Sequence, residues 1–282
     1  MKYYILYNPL AGNKTCEEKI NVLKEKYGES AECIDLTGMT DYKAFFSALD
    51  KEDVIILAGG DGTINHFVND TVDIEIENDV LYYAAGTGND FLRDIEVTDT
   101  TEPFSIKKYI TNLPTVTVNG KTHRFINGVG YGIDGYCCEV GDKLRASDSD
   151  KPINYTAIAI KGVLFHHKPA NATVTVDGVK REFKKVWIAP TMNGRYYGGG
   201  MMATPEQQRL SEPHEVTLMV WHTAGRLRTL MAFPAIFKGE HLKNSFIETF
   251  KGKEITVEFD RPTALQIDGE TVLGVTSYTV KA

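Results

Sequence analysis

The chain has 282 residues, of which 42% are hydrophobic and 24% are charged, so we expect an ordinary globular protein of one large or two medium domains. The formal net charge of -7 and the lack of a long basic tract argue against DNA or RNA as a partner, and against a purely electrostatic attachment to anionic membranes. No run of about 18 apolar residues is present to span a bilayer, and the N-terminus is too short and polar for a signal peptide. The four cysteines lack the spacing of a metal site, so we expect a reduced, cytoplasmic protein that is at most peripheral to a membrane.

The first part of the chain alternates between predicted strands and predicted helices. Strands are predicted near residues 2–7, 32–36, 54–58 and 80–85. Helices are predicted near residues 20–27, 42–49 and 103–110. This alternation predicts a parallel sheet with right-handed crossovers.

The central strand of this sheet runs into a glycine-rich turn. The five apolar residues 54–58 are followed by the turn 59–63, which carries three glycines, Asp61 and Thr63. Glycines leave backbone N–H groups uncovered, so these groups and the start of the helix predicted after Thr63 can face a phosphate. A carboxylate beside phosphates would repel them unless a divalent cation lay between, so Asp61 indicates Mg²⁺ as well as an anion. The glycines alone are also compatible with a simple tight turn.

A second glycine turn, residues 86–93, follows the strand predicted at 80–85 and carries Asn89 and Asp90. In open α/β sheets, ligands gather at the carboxyl ends of the strands. We therefore expect both turns to face one site.

Beyond residue 110 the pattern changes to the period-two alternation of strands. Asn119-Gly120 and Asp177-Gly178 are typical of two-residue hairpins. Further strands are predicted at 216–221, 254–259, 264–267 and 277–280, with one helix at 155–165. We therefore predict a mainly antiparallel β-sandwich or flattened barrel, with a domain boundary near residue 122 (domains 1–122 and 123–282) and a cleft between the domains.

Two patterns are set aside as sites. The GxGxxG at residues 130–135 is not expected to bind a dinucleotide, because no βαβ pattern surrounds it and the sequence downstream indicates β-hairpins. His166 and His167 lack the carboxylate and the spacing of a zinc site and are expected to form an exposed loop pair.

Several motifs then fall along the chain in a fixed order. They are Asn8-Pro9-x-x-Gly12, Gly59-Gly60-Asp61-Gly62-Thr63, Gly86-Thr87-Gly88-Asn89-Asp90-Phe91, Gly198-Gly199-Gly200-Met201 and Gln266-Ile267-Asp268-Gly269-Glu270. This ordered set spans nearly the whole chain and resembles that of the diacylglycerol kinase catalytic family, which includes bacterial lipid kinases and the sphingosine and ceramide kinases. The second motif alone is less specific, since it also occurs in NAD kinases and phosphofructokinases. The resemblance implies an N-terminal α/β domain of the NAD kinase and diacylglycerol kinase type, followed by a C-terminal β-sandwich.

The resemblance also implies a role for each matched residue. The ATP phosphates would be wrapped by Gly59, Gly60, Gly62 and Thr63. Nucleotide contacts are implied for Asn8 and Lys14, and the phosphate and metal network would be completed by Thr87, Asn89 and Asp90. Asp61 and Asp90 would organise Mg²⁺, and Glu270 would be the general base on the lipid hydroxyl. On the residues alone, Lys14 can be a solvated loop lysine, the Asn89-Asp90 pair a helix cap, and Glu270 a hairpin-turn residue.

Three positions depart from the family pattern. Relatives commonly carry Glu and Gly where this chain has His66 and Asp70. In some bacterial members an acidic stretch holds a structural Mg²⁺, but here residues 211–215 read Ser-Glu-Pro-His-Glu and lack the aspartates. A structural metal is therefore not expected at that position.

These features predict an ATP-dependent lipid kinase that transfers the γ-phosphoryl group to a lipid hydroxyl, with a diacylglycerol-like acceptor as the default. The alternatives are an NAD kinase-like enzyme with a soluble acceptor and a catalytically silent nucleotide-binding regulator. A membrane-borne acceptor implies peripheral association, for which residues 226–238 are the candidate stretch, with Phe233, Ile236 and Phe237 beside three basic residues. A core helix is the other interpretation of that stretch, and a homodimer is left open.

Overall fold

The computed structural model describes residues 1–9, 16–86, 89–147 and 153–282. The chain divides into two compact units, unit 1 (Met1–Leu113) and unit 2 (Pro114–Ala282). This division lies earlier in the chain than the boundary predicted near residue 122. Within the described segments, no helix is long and apolar enough to cross a membrane.

Unit 1 is built on one sheet with helices between its strands. Its strands are β1 (Tyr3–Tyr7), β2 (Ala31–Asp35), β3 (Val54–Gly59), β4 (Asp79–Ala84) and β5 (Phe104–Ser105). Its helices are α1 (Cys16–Tyr27), α2 (Tyr42–Ser47), α3 (Asp61–Asp70), α4 (Asp90–Asp94) and α5 (Lys107–Ile110), with short 3-10 turns at Gly28–Ser30 and Leu36–Gly38. The strand order is β2-β1-β3-β4-β5, in which the first four strands run parallel and β5 runs antiparallel to β4. The predicted parallel sheet is thereby confirmed.

The helix predicted at residues 103–110 is wrong in its first half. Phe104 instead extends along β4, and its ring packs edge-on against Tyr82 with 5.9 Å between centroids. The N–H of Ile106 donates to the carbonyl of Val80 at 3.0 Å, so the short helix α5 begins only at Lys107. Tertiary packing on the neighbouring strand therefore overrides the local helical preference.

The strands of unit 2 are β6 (Thr115–Val118), β7 (Lys121–Arg124), β8 (Gly128–Tyr131), β9 (Ala170–Val176), β10 (Val179–Val186), β11 (Thr191–Met192), β12 (Tyr196–Tyr197), β13 (Met201–Met202), β14 (Val216–Trp221), β15 (Ile247–Gly252), β16 (Glu254–Ile267) and β17 (Glu270–Lys281). Its helices are α6 (Ile133–Ser147), α7 (Tyr155–Lys161) and α8 (Arg226–Ala232), with a π-helical turn at Gly162–His166 and 3-10 helices at Phe233–Lys238 and Glu240–Lys243.

The main sheet of unit 2 is antiparallel, as predicted. Its strand order is β15-β14-β11-β8-β16-β17-β6-β7, and β9 joins β16 and β10. The long strand β16 contains both segments predicted as separate strands, and it pairs with β9 over one half and with β8 over the other. The hydrophobic core of unit 2 includes Val174, Leu218, Val257 and Leu265.

Helix α6 replaces the β-hairpins expected after residue 135. It begins directly after β8, where Gly132 adopts a φ of 97°. A Cβ on Gly135 would lie 1.8 Å from the carbonyl oxygen of Ala264, so glycine is what lets α6 pack closely on β16. Strand β8 pairs antiparallel with β11 and β16, so this strand and helix do not form a βαβ unit.

The predicted exposed pair of histidines is half wrong. His166 is exposed, but His167 is buried, with its ring 5.9 Å from that of Tyr136 and 6.1 Å from that of Trp187. Burial, with smaller contributions from two nearby arginines, lowers the pKa of His167 to about 4. His167 is therefore a neutral packing residue at physiological pH.

Candidate functional site

The first glycine turn of unit 1 joins β3 to α3. Gly60 precedes α3, and its carbonyl accepts the N–H of Thr63 at 2.9 Å. A Cβ on Gly59 would lie 2.0 Å from Oγ1 of Thr63, whereas a Cβ on Gly62 would meet no atom within 4 Å. Packing within the turn therefore requires glycine at 59, while glycine at 62 leaves open space beside the backbone.

Asp61 connects this turn to the second one. Its Oδ2 accepts the backbone N–H of Asp90 at 2.8 Å, and its Oδ1 accepts that of Phe91 at 3.4 Å. The turns also touch directly, since a Cβ on Gly86 would lie 2.6 Å from the Cα of Gly60. The structure therefore brings Asp61 and Asp90 together, although they are far apart in the sequence.

The hydroxyl of Tyr82 contacts both glycine turns. This residue was not identified from the sequence. Its hydroxyl lies 2.8 Å from the carbonyl oxygen of Gly59 and 3.0 Å from Oδ1 of Asn89. Nδ2 of Asn89 in turn donates to the carbonyl of Gly86 at 3.3 Å. Burial, and to a lesser extent the charge of Asp61, raises the pKa of Tyr82 far above its usual value, so its hydroxyl stays neutral.

Two further polar side chains lie near the carboxyl ends of the strands. Asn8 directly follows β1, whose Tyr7 pairs with Ala58 just before the first glycine turn. Lys19 of α1, also missed in the sequence, donates from Nζ to the carbonyl of Ala84 at 2.7 Å. Lys14 and Thr87 lie outside the described residues.

The residues present fit a magnesium ion that arrives with a nucleotide. Asp61 and Asp90 would supply the oxygen ligands, and Arg93 lies 3.4 Å from Asp90. In the part of the chain that the structure describes, no group of three or more His, Cys, Asp and Glu side chains could hold a metal. Mg²⁺ usually keeps several waters and binds one or two carboxylates together with substrate phosphates, so two carboxylates beside an open glycine turn suit it.

Two side chains of the segment 211–215 contact other side chains of the protein. Nζ of Lys251 lies 3.5 Å from Oε2 of Glu215, and the Nε2 atom of His214 lies 3.0 Å from Oδ1 of Asn193. The expectation of no structural metal at this stretch stays a prediction.

In unit 2, Glu270 is exposed at the start of β17, directly after a two-residue hairpin turn. The turn residues Asp268 and Gly269 have φ values of 46° and 97°, which suit an Asp-Gly turn. The hydroxyl of Thr271 donates to Oδ2 of Asp142 on α6 at 2.6 Å, which fixes the residue that follows Glu270.

The carboxylate of Asp268 fixes the other side of the turn. It accepts the backbone N–H groups of Ile126 at 2.5 Å, Asn127 at 2.8 Å and Gly128 at 2.9 Å. Nη2 of the buried Arg209 donates to Oδ1 of Asn127 at 2.9 Å, which braces the same loop. Glu270 is therefore held between two anchored neighbours, a placement that suits a positioned base as well as a turn residue.

A buried acid lies close to this turn. Asp134, in the first turn of α6, accepts the hydroxyl of Tyr197 at 2.7 Å. Burial raises its pKa to about 7, and the hydrogen bond from Tyr197 offsets part of that effect. A Cβ on Gly130 would meet both Asp134 and Gln266, and Oε1 of Gln266 accepts the N–H of Gly269 at 2.6 Å. Sequence reasoning missed Asp134 because its partners come from distant segments.

The chain is similar to known proteins along most of its length. Residues 2–118 match the family model of the diacylglycerol kinase catalytic domain, and residues 127–281 match that of the YegS C-terminal NAD kinase beta sandwich-like domain. YtlR of Bacillus subtilis (strain 168), a provisionally named lipid kinase, is 27% identical over 247 residues, with 79% of this chain and 75% of that protein covered. The diacylglycerol kinase of the same organism is 24% identical over 287 residues, with 94% of this chain and 88% of that protein covered.

A solved structure shares the fold. The crystal structure of a provisionally named diacylglycerol kinase from Bacillus anthracis (strain Sterne) matches with a TM-score of 0.67 at 20% identity, over 99% of this chain and 94% of that chain. The two family models account for nearly all of the chain, in the order of its two units. The chain therefore belongs to the diacylglycerol kinase catalytic domain family of lipid kinases, and its second unit is the YegS-type C-terminal domain.

Proposed function

We propose that the protein is an ATP-dependent lipid kinase that transfers the γ-phosphoryl group of ATP to a lipid hydroxyl, with a diacylglycerol-like acceptor as the default. The observation that carries this proposal is the joining of the two glycine turns by Asp61, which accepts the N–H of Asp90 at 2.8 Å. The names of the relatives support a lipid acceptor.

In unit 1, the residues of the first glycine turn bind the phosphates of ATP. The backbone beside Gly62 is open, so phosphate oxygens can approach N–H groups at the start of α3. Asp61 and Asp90 would hold Mg²⁺, and Asn89, with Thr87 of the same motif, would complete the phosphate network. When bound, the metal neutralises charge on the phosphate oxygens.

In unit 2, Glu270 acts on the acceptor. Its carboxylate takes the proton of the lipid hydroxyl as the hydroxyl oxygen forms a bond to the γ-phosphorus, while the bond from that phosphorus to the β–γ bridging oxygen breaks. The products are a lipid phosphate and ADP. Asp268 is a positioning residue, since its three backbone hydrogen bonds fix the turn that presents the base.

The test compares Glu270→Gln with wild type, using ATP labelled at its terminal phosphate and a total lipid extract. The variant keeps the shape of the side chain and removes the base, so we expect kcat to fall by about 10²–10⁴ while ATP affinity is unchanged. Glu258→Gln, an exposed glutamate on β16, is the matched control and should keep wild-type turnover.

Equal turnover of Glu270→Gln and wild type, with chemistry rate-limiting, would leave Glu270 as a turn residue only. Label that appears in a soluble product instead of a lipid would support an NAD kinase-like activity. ATP binding without transfer to any acceptor would support a silent regulator.

A further inference from the structure

The helical segments of unit 2 carry several large apolar side chains that are exposed to solvent. The exposed apolar residues of these segments are Leu144, Tyr155, Ile160, Phe165, Leu227, Met231 and Phe237. Three of them are more than two thirds exposed: Phe165 at 72%, Leu227 at 71% and Met231 at 76%. A cluster of large exposed apolar side chains is typical of an interaction surface.

Helix α8 presents two of these side chains on one face. Leu227 and Met231 are one helical turn apart, so they project in the same direction. Other positions of the helix face the protein, since Thr229 is buried and Leu230 packs against the core of unit 2. The packing of α8 on unit 2 therefore depends mainly on these residues and little on Leu227 and Met231.

Only part of the stretch 226–238, the candidate for membrane contact predicted from the sequence, is exposed. Phe233, chosen because of the basic residues around it, is packed against the core, with its ring 6.4 Å from that of Trp221. Ile236 is fully buried, whereas Phe237 is exposed and its ring lies 6.3 Å from that of Phe233. The exposed apolar residues of the stretch are Leu227, Met231 and Phe237.

A second element adjoins this face. The guanidinium of Arg226 donates to the carbonyl of Val163, which joins α8 to the π-helical turn Gly162–His166. That turn carries Phe165, the most exposed phenylalanine of unit 2. We call the exposed side chains of Phe165, Leu227, Met231 and Phe237 the apolar face.

The two chain segments that carry the apolar face contain basic residues but no acidic ones. Segments 153–168 and 225–238 contain no Asp or Glu, although the whole chain has a net charge of -7. They contain five basic residues, Lys161, Lys168, Arg226, Arg228 and Lys238. The exposed members of this set border the apolar face, which makes the region complementary to anionic headgroups.

We propose that the apolar face is the surface by which the protein docks on a bilayer that contains anionic phospholipid. Its apolar side chains enter the interfacial region while the neighbouring basic side chains contact the headgroups, as in other peripheral proteins. The proposal rests on the proposed function, because a lipid acceptor is presented by a membrane. The negative charge of the whole chain opposes it only weakly, since interactions between exposed charges more than about 8 Å apart are largely screened at physiological salt.

The experiment measures sedimentation of the full chain with vesicles of phosphatidylcholine, alone or with about 30% phosphatidylglycerol. Wild type should bind the anionic vesicles and bind the neutral ones more weakly. Leu227→Ser combined with Met231→Ser should lower the partition coefficient by about tenfold or more, because two apolar side chains no longer leave water.

The matched control is Val179→Ser with Leu210→Ser, which removes apolar side chains of unit 2 that are 54% and 50% exposed outside the apolar face. The control should bind as wild type does. Equal binding of the Leu227 and Met231 double variant and wild type, or no binding of wild type to either vesicle, would overturn the proposal. So would a wild-type dimer in light scattering that the double variant converts to a monomer without a change in vesicle binding.

A micelle assay separates this proposal from the kinase itself. With the lipid extract dispersed in detergent, the double variant should transfer phosphate at the wild-type rate, because docking on a bilayer is no longer required. If wild type phosphorylates no lipid but the double variant still loses vesicle binding, the kinase proposal fails and the docking surface stands. A double variant that is inactive in micelles while folded like wild type would overturn the assignment of these residues to docking alone.

Discussion

Replacing Asp134 by asparagine should change how the stability of unit 2 depends on pH. In the folded protein this carboxyl is only 8% exposed, and the hydroxyl of Tyr197 donates to it at 2.7 Å. Burial raises its pKa from 3.8 to about 7. The thiols of Cys137 and Cys138 face it on the same helix, and burial raises the pKa of both, to about 12 for Cys138, so they stay neutral.

The sign of the effect follows from proton binding. Between pH 4 and 7 the folded protein keeps a proton on Asp134 that the unfolded chain has lost, so the group makes folding less favourable as pH rises through this window. A rise of about three pH units, at about 1.4 kcal/mol each, corresponds to roughly 4 kcal/mol. The loss is complete above the folded pKa and absent below about pH 4.

Asparagine has the same shape, can accept the Tyr197 hydrogen bond and never becomes charged. The Asp134→Asn variant should therefore gain stability relative to wild type as pH rises from 5 to 8. The gain should amount to an appreciable part of that roughly 4 kcal/mol.

Urea unfolding followed by tryptophan fluorescence measures this effect. Both tryptophans, Trp187 and Trp221, lie in unit 2, so the signal reports on the unit that contains Asp134. Glu258→Gln, at an exposed position of β16 in the same unit, is the control for a general effect of removing a carboxylate. If the difference in unfolding free energy between Asp134→Asn and wild type is the same at pH 5 and pH 8, the buried-charge argument is wrong.

Four further substitutions test the glycine turns and the hairpin. Gly62→Ala should leave the melting temperature near that of wild type and weaken ATP binding in calorimetry. Gly59→Ala should lower the melting temperature, because its Cβ would lie 2.0 Å from the hydroxyl of Thr63. Equal melting temperatures of the two variants would contradict the packing argument. Tyr82→Phe removes hydrogen bonds from both turns and should cost about 1 kcal/mol of stability, together with a measurable loss of ATP affinity. Asp268→Ala should lower kcat without changing the KM for ATP, and an unchanged kcat would show that the turn needs no such anchor.

The parts of the fold that follow from local pattern could be predicted from the sequence. The apolar run of β3 ends in a glycine turn, and both features depend only on neighbouring residues. The hairpin turns at Asn119 and Asp177 could be predicted for the same reason, since each is followed by glycine and adopts a positive φ. The family could also be predicted, from the order of the motifs along the chain.

The features that depend on distant residues could not be predicted. Helix α6 contains Gly135 and Gly141, which weaken its helical pattern, and Gly135 makes sense only once Ala264 lies against it. The sequence around Tyr82 is that of an ordinary buried strand, and only the fold places its hydroxyl near Asn89. The outward direction of Met231 likewise depends on which side of α8 meets the core.

The pairing of β6 with β17 has a consequence for how the protein is made. Thr115 pairs with Lys281 and Val118 pairs with Tyr278, so the sheet of unit 2 joins residues that are far apart along the chain. All strand pairs of the sheet in unit 1, by contrast, lie within residues 3–105. During synthesis, unit 1 can therefore complete its sheet on the ribosome before β17 has been made. Until β17 is available, β6 lacks this partner, and β6 and its neighbouring strands stay exposed to chaperones and proteases.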